Sequence, residues 1–75
     1  MTRLPTVKPR ELIRAFERAG FFVHHVTGSH YYLKRPDDQT LRVTVPYHNK
    51  DLKRGTLRSI LREARLTVDD LLRLL

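Results

Sequence analysis

The apolar residues of this chain change period twice, and that change restricts the fold more than any other feature. Leu12, Ile13, Phe16 and Ala19 recur at the spacing of one helical face, Leu41, Val43 and Val45 alternate along one face of a strand, and Leu57, Ile60, Leu61 and Ala64 return to the helical spacing. Between the first helix and the alternating run, residues 21–26 are aromatic and β-branched and read as a first strand, with Phe21 and Val23 facing inward. Thr27-Gly28 supplies a tight turn, because glycine adopts positive φ without a Cβ clash, and a second strand follows from Ser29 to about Lys34. Residues 35–40 form a polar turn into the third strand, Leu41 to Val45. The order helix, strand, strand, strand, helix predicts a small α+β sandwich, a three-stranded antiparallel sheet with both main helices on one face.

Boundary residues agree with this order. Met1 to Lys8 reads as a lead-in, Pro9 suits a first helical turn, and Gly20 is placed to end the helix in a left-handed cap. Pro46 closes the third strand, and a polar connection from Tyr47 to Thr56 leads to the second helix. Thr67-Val68-Asp69-Asp70 has the form of an N-cap with an acidic first turn. The short helix it opens is expected to present Val68, Leu71, Leu72 and Leu75 on one face, which completes the core or serves as a docking surface. In a regular first strand the adjacent His24 and His25 point to opposite faces and do not jointly chelate a metal ion.

With 75 residues and no cysteine, the chain is expected to form a single domain over residues 1–75 with a modest core and no disulfide, thiol nucleophile or zinc-finger scaffold. Any chemistry is expected on an open surface. No apolar run approaches membrane-spanning length and the N-terminus lacks a signal-peptide pattern, so a soluble, cytoplasmic protein is expected, away from membranes. A net charge of +7 makes polyanions the natural partners, nucleic acid ahead of an anionic membrane.

The candidate functional residues gather around the turn at Gly28. His30 opens the second strand, and with a side-chain period of two it shares one face with Tyr32 and Lys34: an imidazole, a phenol and an ammonium in a row. Lys50, Lys53, Arg54 and Arg58 cluster near the first turn of the second helix, where free N–H groups and the helix dipole favour phosphate. Arg10, Arg14 and Arg18 stack four residues apart on the first helix, as a solvated face or a secondary phosphate ridge. Tyr32 and Tyr47 can stack on unpaired bases or pack locally, and Ser29 reads as a turn residue. Four histidines without cysteine or helical His-x-x-x-His spacing give no metal site and no cofactor.

Ala19-Gly20-Phe21, Gly28-Ser29-His30, Val45-Pro46-Tyr47-His48 and residues 53–61 (Lys-Arg-Gly-Thr-Leu-Arg-Ser-Ile-Leu) together resemble the HicA (YcfA-like) toxin family, from about Lys8 to Leu75. The resemblance implies a fold similar to the double-stranded-RNA-binding domain, an mRNA interferase activity with His30 as the essential histidine, and a HicB-like antitoxin that covers the active face. Arg65 departs from it, standing where the family usually has glycine after the second helix. Metal-free RNA cleavage needs a base for the 2′-OH proton, an acid for the departing 5′ oxygen, and cations against the phosphorane charge. Histidine, with an ordinary pKa of about 6.5, serves either proton-transfer role, so His30 is expected as general acid or general base. His48 is the candidate second group, or else holds the loop before the second helix by a hydrogen bond. Lys34, Lys50, Lys53, Arg54, Arg58 and Tyr32 are expected to hold RNA. The alternative is a non-catalytic double-stranded-RNA-binding module that lays the Arg10, Arg14, Arg18 stripe over a minor groove.

Overall fold

In the structure, a computed structural model, residues 3–75 are described; Met1 and Thr2, the start of the expected lead-in, lie outside the described residues. The order is α1 (Pro9–Arg18), β1 (Phe22–Thr27), β2 (His30–Arg35), β3 (Asp38–Pro46), α2 (Arg54–Ala64) and α3 (Val68–Leu74). The strands form one antiparallel sheet in the order β1-β2-β3. This is the expected α+β arrangement.

Pro9 opens α1 with its fixed φ, and Glu11 Oε1 accepts the Lys8 backbone N–H at 2.8 Å. Leu12, Ile13, Ala15 and Phe16 turn inward. At the far end Gly20 takes φ 100°, its N–H meets the Glu17 carbonyl and the Phe21 N–H meets that of Phe16, so the last carbonyls of α1 are satisfied. The reversal lays the Phe21 ring against Phe16 with centroids 5.3 Å apart, which fixes where β1 begins.

The sheet is longer than the alternation indicated. β3 runs from Asp38, because the turn before it closes over Pro36 and Asp37 alone, held by Arg35 Nε and Nη2 on the two Asp37 carboxylate oxygens at 2.9 and 2.7 Å. The β1–β2 turn is Gly28-Ser29, with Gly28 at φ 56° and Thr27 still paired with His30. Leu33, Leu41, Val43 and Val45 face the helices and are buried.

β1 departs from regular pairing. Val23 opposes Leu33 and His25 opposes Tyr32, so His24 is an extra residue in a β-bulge. The bulge brings His24 and His25 together, with Nδ1 to Nδ1 at 2.7 Å, and corrects the expectation that their side chains part to opposite faces.

α2 buries Leu57, Ile60, Leu61 and Ala64 as its spacing required. It ends with Arg65 at φ 57°, its N–H on the Arg62 carbonyl and the Leu66 N–H on that of Leu61. That is the ending of α1, reached with arginine where α1 has glycine. α3 opens on a reciprocal pair: Thr67 Oγ1 accepts the Asp70 N–H at 3.0 Å and an Asp70 carboxylate oxygen accepts the Thr67 N–H at 2.9 Å. Leu71 of α3 is fully buried, with Val68 and Leu74 packed against the core, while Leu72 and Leu75 are 41% and 46% exposed. The expected four-residue face is therefore split, because α3 turns its Val68-Leu71-Leu74 ridge inward.

The lead-in also joins the core. Leu4 and Val7 are buried, and the Leu52 N–H donates to the Val7 carbonyl at 2.9 Å, which pins the connection before α2. Among the described residues no helix is long and apolar enough to cross a membrane.

Candidate functional site

The helices cover one face of the sheet, and the other carries the residues with chemistry in three cross-strand rows. Thr27, His30 and Pro46 form the row at the hairpin end; His25, Tyr32 and Thr44 form the middle row; Phe22, Lys34 and Arg42 form the third. The sequence reading placed His30, Tyr32 and Lys34 on one face, and each stands at the centre of one row. Two residues of strand separate successive rows, so His30 and Lys34 lie about 13 Å apart along β2.

His30 is exposed, set at the rim by the Gly28-Ser29 turn and by its pairing with Thr27 on one side and Pro46 on the other. Both flanking strands hold its backbone, while its side chain is exposed. In the middle row the His25 and Tyr32 rings stack nearly parallel, 10° apart in plane, with centroids at 4.3 Å. His24 lies beside this stack, and its pKa is lowered from 6.5 by the Lys34 ammonium first, then by desolvation and by the His25 ring.

His48 does not join this face. The chain after β3 is tied to the hairpin by the Tyr47 N–H on the Ser29 carbonyl at 2.6 Å, and the Tyr47 ring stacks on Tyr31 at 4.6 Å, on the helix side of the sheet. The His48 ring accepts the Lys50 backbone N–H on Nδ1 at 3.2 Å and lines a cavity of about 220 Å³ with Lys8, Arg10, Tyr47 and Asn49. Neutral His48 accordingly carries its proton on Nε2. Among the described residues neither a hydrogen bond nor a ring contact joins His30 to His48. Of the two roles open for His48 in the sequence, the loop-ordering hydrogen bond is present.

The cations expected to hold RNA divide between two surfaces. Lys34 is on the open face, whereas Lys53, Arg54 and Arg58 belong to the start and first turns of α2, which packs on the opposite side, and Lys50 precedes them in the connection. All four are exposed, Lys53 provides no side-chain cap, and the first turn of α2 holds no acid, so its N–H groups remain available to an anion. The α1 stripe is partly engaged: Arg18 Nη1 donates to the Leu74 carbonyl at 2.6 Å at the end of α3. That contact takes Arg18 away from the minor-groove ridge on which the double-stranded-RNA-binding alternative drew.

Sequence reasoning missed Phe22, His24 and Arg42, which complete the third row and its border. The alternation of β3 already turned Arg42 outward; its alignment with Lys34 depends on register, which the sequence does not display.

Comparison with protein families places the chain: the family described as HicA toxin of bacterial toxin–antitoxin matches residues 9–66. The chain belongs to the HicA toxin family. No curated protein matches the chain. The HicA match takes in both main helices, the whole sheet and Gly28-Ser29-His30, and stops before α3. As a HicA toxin the protein is one half of a toxin–antitoxin pair, and an antitoxin is its partner.

Proposed function

We propose that this HicA toxin is a metal-independent endoribonuclease acting on mRNA, with His30 as its proton-transfer residue and a HicB-like antitoxin as its inhibitor. The reading is carried by the exposed imidazole of His30 at the rim of an open face that also bears Tyr32 and Lys34. An RNA strand on that face meets His30 beside its ribose–phosphate junction. There the ring takes the 2′-OH proton as general base or protonates the leaving 5′ oxygen as general acid. Lys34 neutralises phosphate along the strand, and Tyr32, one face of which His25 covers, offers its other face to an unpaired base. Lys50, Lys53, Arg54 and Arg58 hold phosphates that continue past the hairpin end, and His48 presents Nε2–H in the loop before them.

The test is cleavage of end-labelled mRNA by wild-type protein and by His30→Ala, in a buffer containing a chelator. Wild type is expected to cut, and His30→Ala to bind the RNA without shortening it. Since His30 is exposed, its truncation removes no core contact. A variant that cuts as fast as wild type removes His30 from the mechanism, and a wild type that cuts only when metal is restored removes the metal-independent route.

A further inference from the structure

Of the third row of the open face the proposed cleavage uses Lys34 alone, and Phe22, Arg42 and the bordering His24 have no part in it. Lys34 stands directly opposite Arg42 on one side and Phe22 on the other, and the bulged His24 borders them. Like charges opposed across a ladder repel, and among the described residues neither Lys34 nor Arg42 is paired with a carboxylate. Arg35 next to them is different, since Asp37 already holds its guanidinium with two hydrogen bonds. The unpaired cations line a concavity of about 340 Å³, with Gln39 and Pro36 at its border. Phe22 is 42% exposed beside them, its ring 6.3 Å from that of His24. An apolar ring kept in water next to two uncompensated cations fits a ligand that is both flat and anionic.

We infer that Phe22, His24, Lys34 and Arg42 form a nucleotide subsite for single-stranded RNA, in which Phe22 stacks on a base while Lys34 and Arg42 take the adjoining phosphate. The inference rests on the ribonuclease reading and extends it to the substrate's form. About 13 Å of strand separates this row from His30, too far for one nucleotide to bridge, so the two rows engage one strand only when several nucleotides lie across the sheet. The middle row fills the interval with the His25–Tyr32 stack, so the face is a track of rings and cations suited to unpaired bases. A duplex keeps its bases stacked on each other and leaves such rings unused. His24 belongs to the anion side of the subsite: its protonation is opposed by Lys34, and a bound phosphate relieves that opposition.

The test compares two substrates, a dinucleoside monophosphate that reaches His30 alone and a single-stranded hexanucleotide that reaches both rows. Phe22→Ala/Arg42→Ala is expected to raise KM about tenfold on the hexanucleotide, with kcat retained, and to leave kcat/KM on the dinucleotide unchanged. Arg73→Ala, which removes a charge from α3, is expected to leave both substrates unaffected. Direct binding of a hexanucleotide lacking 2′-OH groups is expected to weaken about as much in the double variant. This arm reads the subsite even if the ribonuclease reading fails, which His30→Ala reports separately. An unchanged KM and unchanged binding on the long substrate overturn the subsite, as does an equal loss on both substrates. Loss of binding to a hexaglutamate peptide with RNA binding intact assigns the row to an acidic protein segment and overturns it too.

Discussion

At the level of single residues, His30 and His24 were unequally legible. His30 could be placed from sequence because Gly28 fixes the turn, and the turn fixes the parity of every residue after it. His24 could not, because its position depends on a bulge, and a bulge exists only in the pairing of one strand with another. The same local crowding has a pH signature. Lys34, desolvation and His25 hold the folded His24 pKa below its ordinary 6.5, so as the pH falls the unfolded chain takes up this proton first. His24 therefore removes stability from pH 6.5 downward until the folded chain is protonated as well. Urea unfolding of wild type and His24→Gln between neutral pH and about pH 5 is expected to show a smaller loss in the variant. An identical slope in the two proteins refutes this account of His24.

Among the elements, the ends of the two main helices make a matched pair. Each closes with the same two backbone bonds and a left-handed residue, Gly20 after α1 and Arg65 after α2. Glycine meets that conformation without a Cβ clash, whereas a side chain costs about 1–2 kcal/mol, partly offset because glycine loses more freedom on folding. Arg65→Gly is thus expected to raise the unfolding free energy by roughly 0.5–1 kcal/mol, measured by chemical denaturation. A destabilised variant shows that the arginine side chain contributes more at this position than the backbone loses. The sequence flagged Arg65 as a departure, and the structure ends α2 there regardless, because Leu66 has to turn back to Leu61 for α3 to reach the core. The rotation of α3 was not legible. Spacing alone permits either Leu72 or Leu74 to turn inward, and the packing of α3 against the core, with Arg18 of α1 on its terminal carbonyl, selects Leu74. Leu4, Val7 and Leu52 were likewise hidden, since isolated apolar residues outside any periodic run carry no pattern to read.

For the molecule as a whole, the charge of +7 is spread over both sides of the sheet rather than held in one patch. RNA held by such cations releases counterions, and for a single strand each phosphate contact contributes about 0.7 to the slope of log affinity against log salt. Lys53→Ala and Arg54→Ala are each expected to make that slope shallower by about 0.7, measured by titrating a non-cleavable RNA across a range of salt, while Glu17→Ala leaves it unchanged. A slope that ignores Lys53 and Arg54 excludes the α2 start from the RNA path. The bulge that presents His24 also acts on how copies of the chain meet. β1 is an outer strand of the sheet, and a regular outer strand offers a row of free N–H and C=O groups on which another chain can add. The extra residue breaks the rhythm of that row after Val23, leaving no long run in step for a newcomer to match. The face proposed to receive RNA is in this way bordered along β1 by a strand that resists growing into a fibre.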